Sequence, residues 1–87
     1  MAKYSVELKS SASKELERLP PNLIQRVFPK LEALGADPRP RGCKKLKGGQ
    51  DVWRIRVGDY RVVYSINDEK RLVSVTRIRH RGEVYDG

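Results

Sequence analysis

Eighty-seven residues make one small domain, with too little chain to set a cofactor domain beside a substrate domain. Lys and Arg number 19 against 11 acids, a formal net charge of +8. The excess is lopsided, because residues 41–87 hold 12 basic and 6 acidic side chains against 7 and 5 in residues 1–40.

That concentration points to a polyanionic partner, either nucleic acid or an acidic protein. Cys43 and His80 are each the single residue of their type, which excludes an internal disulfide and a thiolate zinc centre. No metal and no cofactor is expected. The first eight residues lack the apolar run of a secretory signal, and no stretch approaches the ~20 apolar residues of a membrane span. The expected compartment is the cytosol, with no membrane contact.

Tyr4, Val6 and Leu8 alternate with polar residues and predict a short half-buried strand. Ser10 and Ser11 are placed to cap a helix whose face is Ala12, Leu16 and Leu19. Pro20 stops it, and Pro21 suits the first position of the next helix. There Leu23, Ile24, Val27, Phe28, Leu31 and Leu34 form one apolar stripe, and Gly35 is placed to end it. Residues 37–49 read as a polar connector rich in Pro, Gly and Lys, with Leu46 anchoring a brief strand. Beyond Asp51 the period becomes two. Val52 to Val57, Tyr60 to Ile66 and Leu72 to Ile78 predict three strands, joined by a two-residue turn at Gly58-Asp59 and a longer one at Asn67 to Lys70. The fold class is α+β: an N-terminal strand, a two-helix hairpin, then a three- to four-stranded antiparallel sheet, as a single domain over residues 1–87.

The turn assignment brings charges together. With Gly58 and Asp59 as the turn, Arg56 faces Arg61 and Arg54 faces Val63. Arg54, Arg56 and Arg61 then share one sheet face, and Trp53, Ile55, Val57, Tyr60, Val62 and Tyr64 share the other. Opposed like charges destabilise a sheet, whereas a bound phosphate would relieve them and suits the guanidinium fork. Further on, Arg77, Arg79 and Arg81 alternate, with His80 on the other face and Tyr85 following. Lys44, Lys45 and Lys47 of the connector, with Arg77 and Arg79, are candidate contacts to a nucleic-acid backbone.

Lys45-Leu46-Lys47-Gly48, the hairpin from Val52 to Tyr64 (V-W-R-I-R-V-G-D-Y-R-V-V-Y) and Arg79-His80-Arg81-Gly82-Glu83-Val84-Tyr85 resemble the RelE/ParE superfamily of toxins. The resemblance spans nearly the whole chain, and the C-terminal H-R-x-x-V-Y favours its RNA-cutting, RelE-like branch. It implies an mRNA interferase that enters the ribosomal A site, and a small acidic RelB-like antitoxin bound in a hetero-oligomer. It also implies that Arg54, Arg56, Arg61, Arg81 and Tyr85 form the active site. Lysines stand at the first two positions in some members; arginine there cannot accept a proton near neutral pH. Only two residues follow Tyr85, so no further C-terminal helix is expected to take part.

Without paired histidines or clustered carboxylates, the resource for metal-free cleavage is positive charge aimed at phosphate. Arg56 and Arg61 are assigned to the transition-state oxygens and Arg54 to the phosphate or base region. Tyr85 is the candidate base, Arg81 stands near the leaving group, and His80 is a reserve acid or base. Two other functions fit the same charge: a non-catalytic gyrase inhibitor of the same superfamily, and a plain RNA-binding module. The second expects exposed aromatics among the basic strands, and here they fall on the core side.

Overall fold

A computed structural model describes residues 3–46 and 51–80. The elements run β1 (Ser5–Leu8), α1 (Ser10–Glu17), α2 (Pro21–Ala36), β2 (Lys44–Lys45), β3 (Val52–Val57), β4 (Tyr60–Asn67) and β5 (Leu72–His80). The α+β expectation holds, but the sheet is larger than the predicted meander. It has five strands in the order β1-β5-β4-β3-β2, because the N-terminal strand joins it in parallel beside β5. Both helices contribute to one core on one sheet face: Ala12, Leu19, Leu23, Val27, Leu31 and Leu34 meet Ile55, Val57, Val62, Tyr64, Ile66, Val73, Val75 and Ile78.

Three local readings are corrected. Ser10 and Ser11 do not cap α1; Lys9 occupies the N-cap without a side-chain bond. Ser11 instead donates its hydroxyl to the Thr76 carbonyl at 2.7 Å, satisfying an acceptor on the edge of β5 beyond the end of β1. Phe28, counted in the apolar stripe, is 49% exposed, because it lies at the edge of the helix face on which Leu23, Val27, Leu31 and Leu34 are buried. Gly35 does not end α2; it lies inside the last turn, under β1. A Cβ there would stand 2.9 Å from the Tyr4 carbonyl oxygen, and the Tyr4 amide donates to the Gly35 carbonyl at 2.7 Å. The glycine is a point of close backbone approach rather than a cap.

The register of the first hairpin is the predicted one, with Val57 opposite Tyr60, Arg56 opposite Arg61 and Arg54 opposite Val63. Gly58 takes φ +61° to turn the chain in two residues. β5 adds what simple alternation does not foresee. Val63 pairs with Arg77 but Tyr64 pairs with Val75, so Thr76 is an extra residue in a bulge. Without it, Arg77 and Arg79 would share the core face of Val73 and Val75. With it, Val73, Val75 and Ile78 all point to the core, and the arginines point away.

The connector after α2 is pinned by a charge cluster. Arg39 bridges Asp51 and Asp68, each at 3.0 Å, and its guanidinium lies 5.4 Å from the Trp53 ring centroid. Trp53 donates its indole N–H to Asp51 at 2.7 Å, the Tyr4 hydroxyl donates to Asp68 at 2.5 Å, and the buried Tyr64 hydroxyl donates to the Pro38 carbonyl at 2.7 Å. The hydrogen bonds from Arg39 and Tyr4 hold the Asp68 carboxyl below its ordinary range.

Two outcomes are expected. Alanine at position 35 gains ~1 kcal/mol of helix propensity, but backbone overpacking costs ~1–3 kcal/mol. Gly35→Ala should therefore lower the melting temperature in a calorimetric scan. Asp68, with its folded pKa depressed, stabilises fully above the unfolded carboxylate range near ~4 and loses that contribution as pH falls through its folded value. The melting temperature of Asp68→Asn should consequently fall less steeply between about pH 5 and 2 than that of the parent chain.

Candidate nucleic-acid interface

Hairpin, turn and bulge together build two cross-strand rows on the face turned away from the helices. The first runs Lys44, Arg54, Val63, Arg77 across β2 to β5, and the second runs Arg56, Arg61, Arg79 across β3 to β5. Directly opposed side chains have Cβ atoms ~5 Å apart. Two unit charges at that distance repel by ~3 kcal/mol at an effective dielectric of 20 and under ~1 kcal/mol in bulk water. Three arginines abreast are thus an arrangement that folding alone disfavours.

The predicted residues divide as follows. Arg56 and Arg61 are brought together, Arg56 exposed and Arg61 half-buried. Arg54 lies in the neighbouring row but is only 2% exposed, so it is not a surface contact in the way the sequence suggested. Arg79, read only as a backbone contact, stands directly opposite Arg61 and completes the second row. Arg77 is exposed beside it, and Lys44 is exposed opposite Arg54. Lys45 pairs with Trp53 and so belongs to the other face. His80 is also on that face. It pairs with Tyr60 and stacks edge-on against it, with centroids 5.5 Å apart and planes at 87°. The structure does not bring His80 into the arginine row. Lys47, Arg81 and Tyr85 lie outside the described residues.

Around the second row the surface is shallow. Arg56, Gly58, Asp59, Tyr60 and Arg61 line a depression of about 90 Å³, well below the ~300–1,000 Å³ of small-molecule pockets. It has room for a phosphate-sized group. A larger groove of about 340 Å³ shares Arg56 and continues round the β3 edge past Ile55, Arg41 and Lys30. Lys30 gave no sequence signal, since it sits on a helix flank like any solvated lysine. Among the described residues no three His, Cys, Asp or Glu side chains come together as a metal-binding group.

Besides Asp59 in the turn, an acid reaches this surface from α1. Glu15 of α1 accepts from the Ile78 amide and from Arg79 Nε, each at 2.8 Å, and lies 3.6 Å from Arg77. Burial disfavours its charge, but the hydrogen bonds from Arg79 and the Ile78 amide, with the two nearby guanidiniums, prevail and hold its carboxyl below the usual range. Sequence reasoning missed it because the contact spans more than sixty residues and α1 carries no local sign of it.

The sequence profile of the family described as ParE toxin of type II toxin–antitoxin systems matches residues 6–85. The chain belongs to the RelE/ParE toxin family. The mRNA interferase toxin RelE of Escherichia coli is 33% identical to it over 94% of this chain and 90% of that one. Toxin RelG of Mycobacterium tuberculosis is 29% identical over 94% and 95%. The archaeal RelE–RelB complex of Pyrococcus horikoshii contains a chain with a TM-score of 0.82 and 31% identity, covering 97% of this chain and 100% of that chain. Among the described residues of this toxin no helix is long and apolar enough to cross a membrane.

The crowded row has a measurable signature. Arg56→Gln removes one repelling charge without touching the core, so it should raise the melting temperature by a few degrees at low ionic strength. At about 1 M salt, where the screening length is ~3 Å, the gain should vanish.

Proposed function

We propose that this toxin is a ribosome-dependent mRNA endoribonuclease that cleaves the message in the A site without a metal ion. The row Arg56, Arg61 and Arg79 is the observation that carries the reading. In the proposed reaction the 2′-hydroxyl of one nucleotide loses its proton and attacks the adjacent phosphorus. The bond from phosphorus to the 5′-oxygen breaks and that oxygen takes a proton from solvent, leaving a 2′,3′-cyclic phosphate and a 5′-hydroxyl. The row holds the non-bridging oxygens as their charge grows, the kind of fixed electrostatic stabilisation that is worth most in a catalytic site. Arg54, buried in the neighbouring row, adds positive potential. Tyr85 takes the proton of the 2′-hydroxyl, and Arg81 steadies the departing oxygen. A surface this open does not align its substrate well, so the ribosome supplies the orientation.

Support for a nuclease comes from the Escherichia coli relative's name as an mRNA interferase. Support for a RelB-like antitoxin as partner comes from the archaeal RelE–RelB complex. An acidic antitoxin fits the +8 charge and would neutralise the same face in a toxin–antitoxin hetero-oligomer. A translating ribosome as target puts the site of action in the cytoplasm.

Inducible expression of the parent chain beside Arg61→Ala and Tyr85→Phe, with 5′ ends mapped on cellular mRNA, tests the reading. Growth arrest with new ends inside translated codons is expected from the parent and not from either variant. In a purified ribosome assay Arg61→Ala should be slower by about 10²–10³-fold. Arrest with intact message and damaged DNA would replace the nuclease with a gyrase inhibitor.

A further inference from the structure

The arginine row is reached from one side by a helix that the proposed chemistry does not use. Ser11 and Glu15 are one turn apart on α1, and between them they grip four consecutive residues of β5. Ser11 donates to the Thr76 carbonyl at 2.7 Å, and Glu15 takes the Ile78 amide and Arg79 Nε at 2.8 Å while standing 3.6 Å from Arg77. Those four residues are the bulge and the segment whose facing it resets. The Glu15 side chain is 18% exposed, against 36% for Arg79 and 49% for Arg77. The pair is therefore better shielded than an ordinary surface ion pair and stiffer for it.

We infer that Glu15 is a positioning residue of this site, fixing the plane and place of the Arg79 guanidinium opposite Arg61. The inference rests on the endonuclease reading and deepens it. A carboxylate on Nε orients the whole planar fork, and the Ile78 amide anchors the carboxylate in turn. Charge alone makes the opposite demand. An acid beside a phosphate seat weakens phosphate binding, so a group kept there to attract phosphate would be neutral or basic. What an acid can contribute is relief of the repulsion along the row and a fixed geometry, and small misplacements of a catalytic group are costly to rate.

The two roles separate in kinetics. Glu15→Gln keeps an acceptor for the Ile78 amide but removes the charge that holds Arg79. In a ribosome assay with defined mRNA its kcat should fall about tenfold, with KM unchanged or lower because the surface has gained net positive charge. Arg79→Ala should lose about 10²-fold, and the double variant should be no slower than Arg79→Ala alone, since Glu15 acts through that arginine. Glu17→Gln, the same charge change at an exposed position of α1, should cut like the parent.

A Glu15→Gln protein as fast as the parent, with Arg79→Ala slow, overturns the positioning role and leaves the nuclease standing. A double variant losing the product of the two single losses also overturns it, pointing to a stability effect only. If the parent leaves ribosome-bound mRNA intact, or Arg79→Ala cuts at the parent's rate, the nuclease reading of the row fails and the role of Glu15 falls with it.

Discussion

Gly58 stands where the chain reverses in two residues, and the register that this turn imposes is the constraint on which the charged surface depends. A sheet has a side-chain period of two, so a slip of one residue between β3 and β4 would send Arg61 toward the core and Val62 toward solvent. The bulge at Thr76 performs the same service one strand further on. Val73, Val75 and Ile78 cannot all face the core of an unbulged strand, and in meeting that demand the bulge turns Arg77 and Arg79 outward. Core packing and the charged face are thus set by the same two backbone features.

Electrostatically the face is a compromise. Arg56, Arg61 and Arg79 oppose one another across three strands, and Glu15 removes part of that repulsion at the β5 end without neutralising the row. At the far end of the sheet the arrangement is reversed. There a single cation, Arg39, gathers Asp51 and Asp68, and its charges are paired to hold a loop. The molecule separates its charges into a paired cluster that stabilises and a crowded row that is available to a polyanion.

Much of this was readable from residue order, because hairpins are local. The Gly58-Asp59 turn, the opposition of Arg56 to Arg61 and the aromatic core side follow from two-residue periodicity alone. So did the separation of the helices at Pro20-Pro21. What was missed depends on contacts between distant parts of the chain. The bulge has no local signature in Thr76, Gly35 looks like a helix terminator until β1 is laid across it, and Ser11 looks like a cap until β5 presents a carbonyl. Glu15 belongs with these. The burial of Arg54 was illegible for the same reason, since alternation gives a face but not what covers it.

The parallel pairing of β1 with β5 bears on how the chain is made. Ser5 aligns with Leu72, so the first strand to leave a ribosome has no neighbour until the last described strand follows. Closing so long a loop is a late and entropically costly event. Until it happens, α1 has no β5 edge to grip, and Glu15 has no Arg79 to hold. A nascent chain can therefore oppose Arg56 to Arg61 in a local hairpin, while the Arg79 end of the row waits for β5.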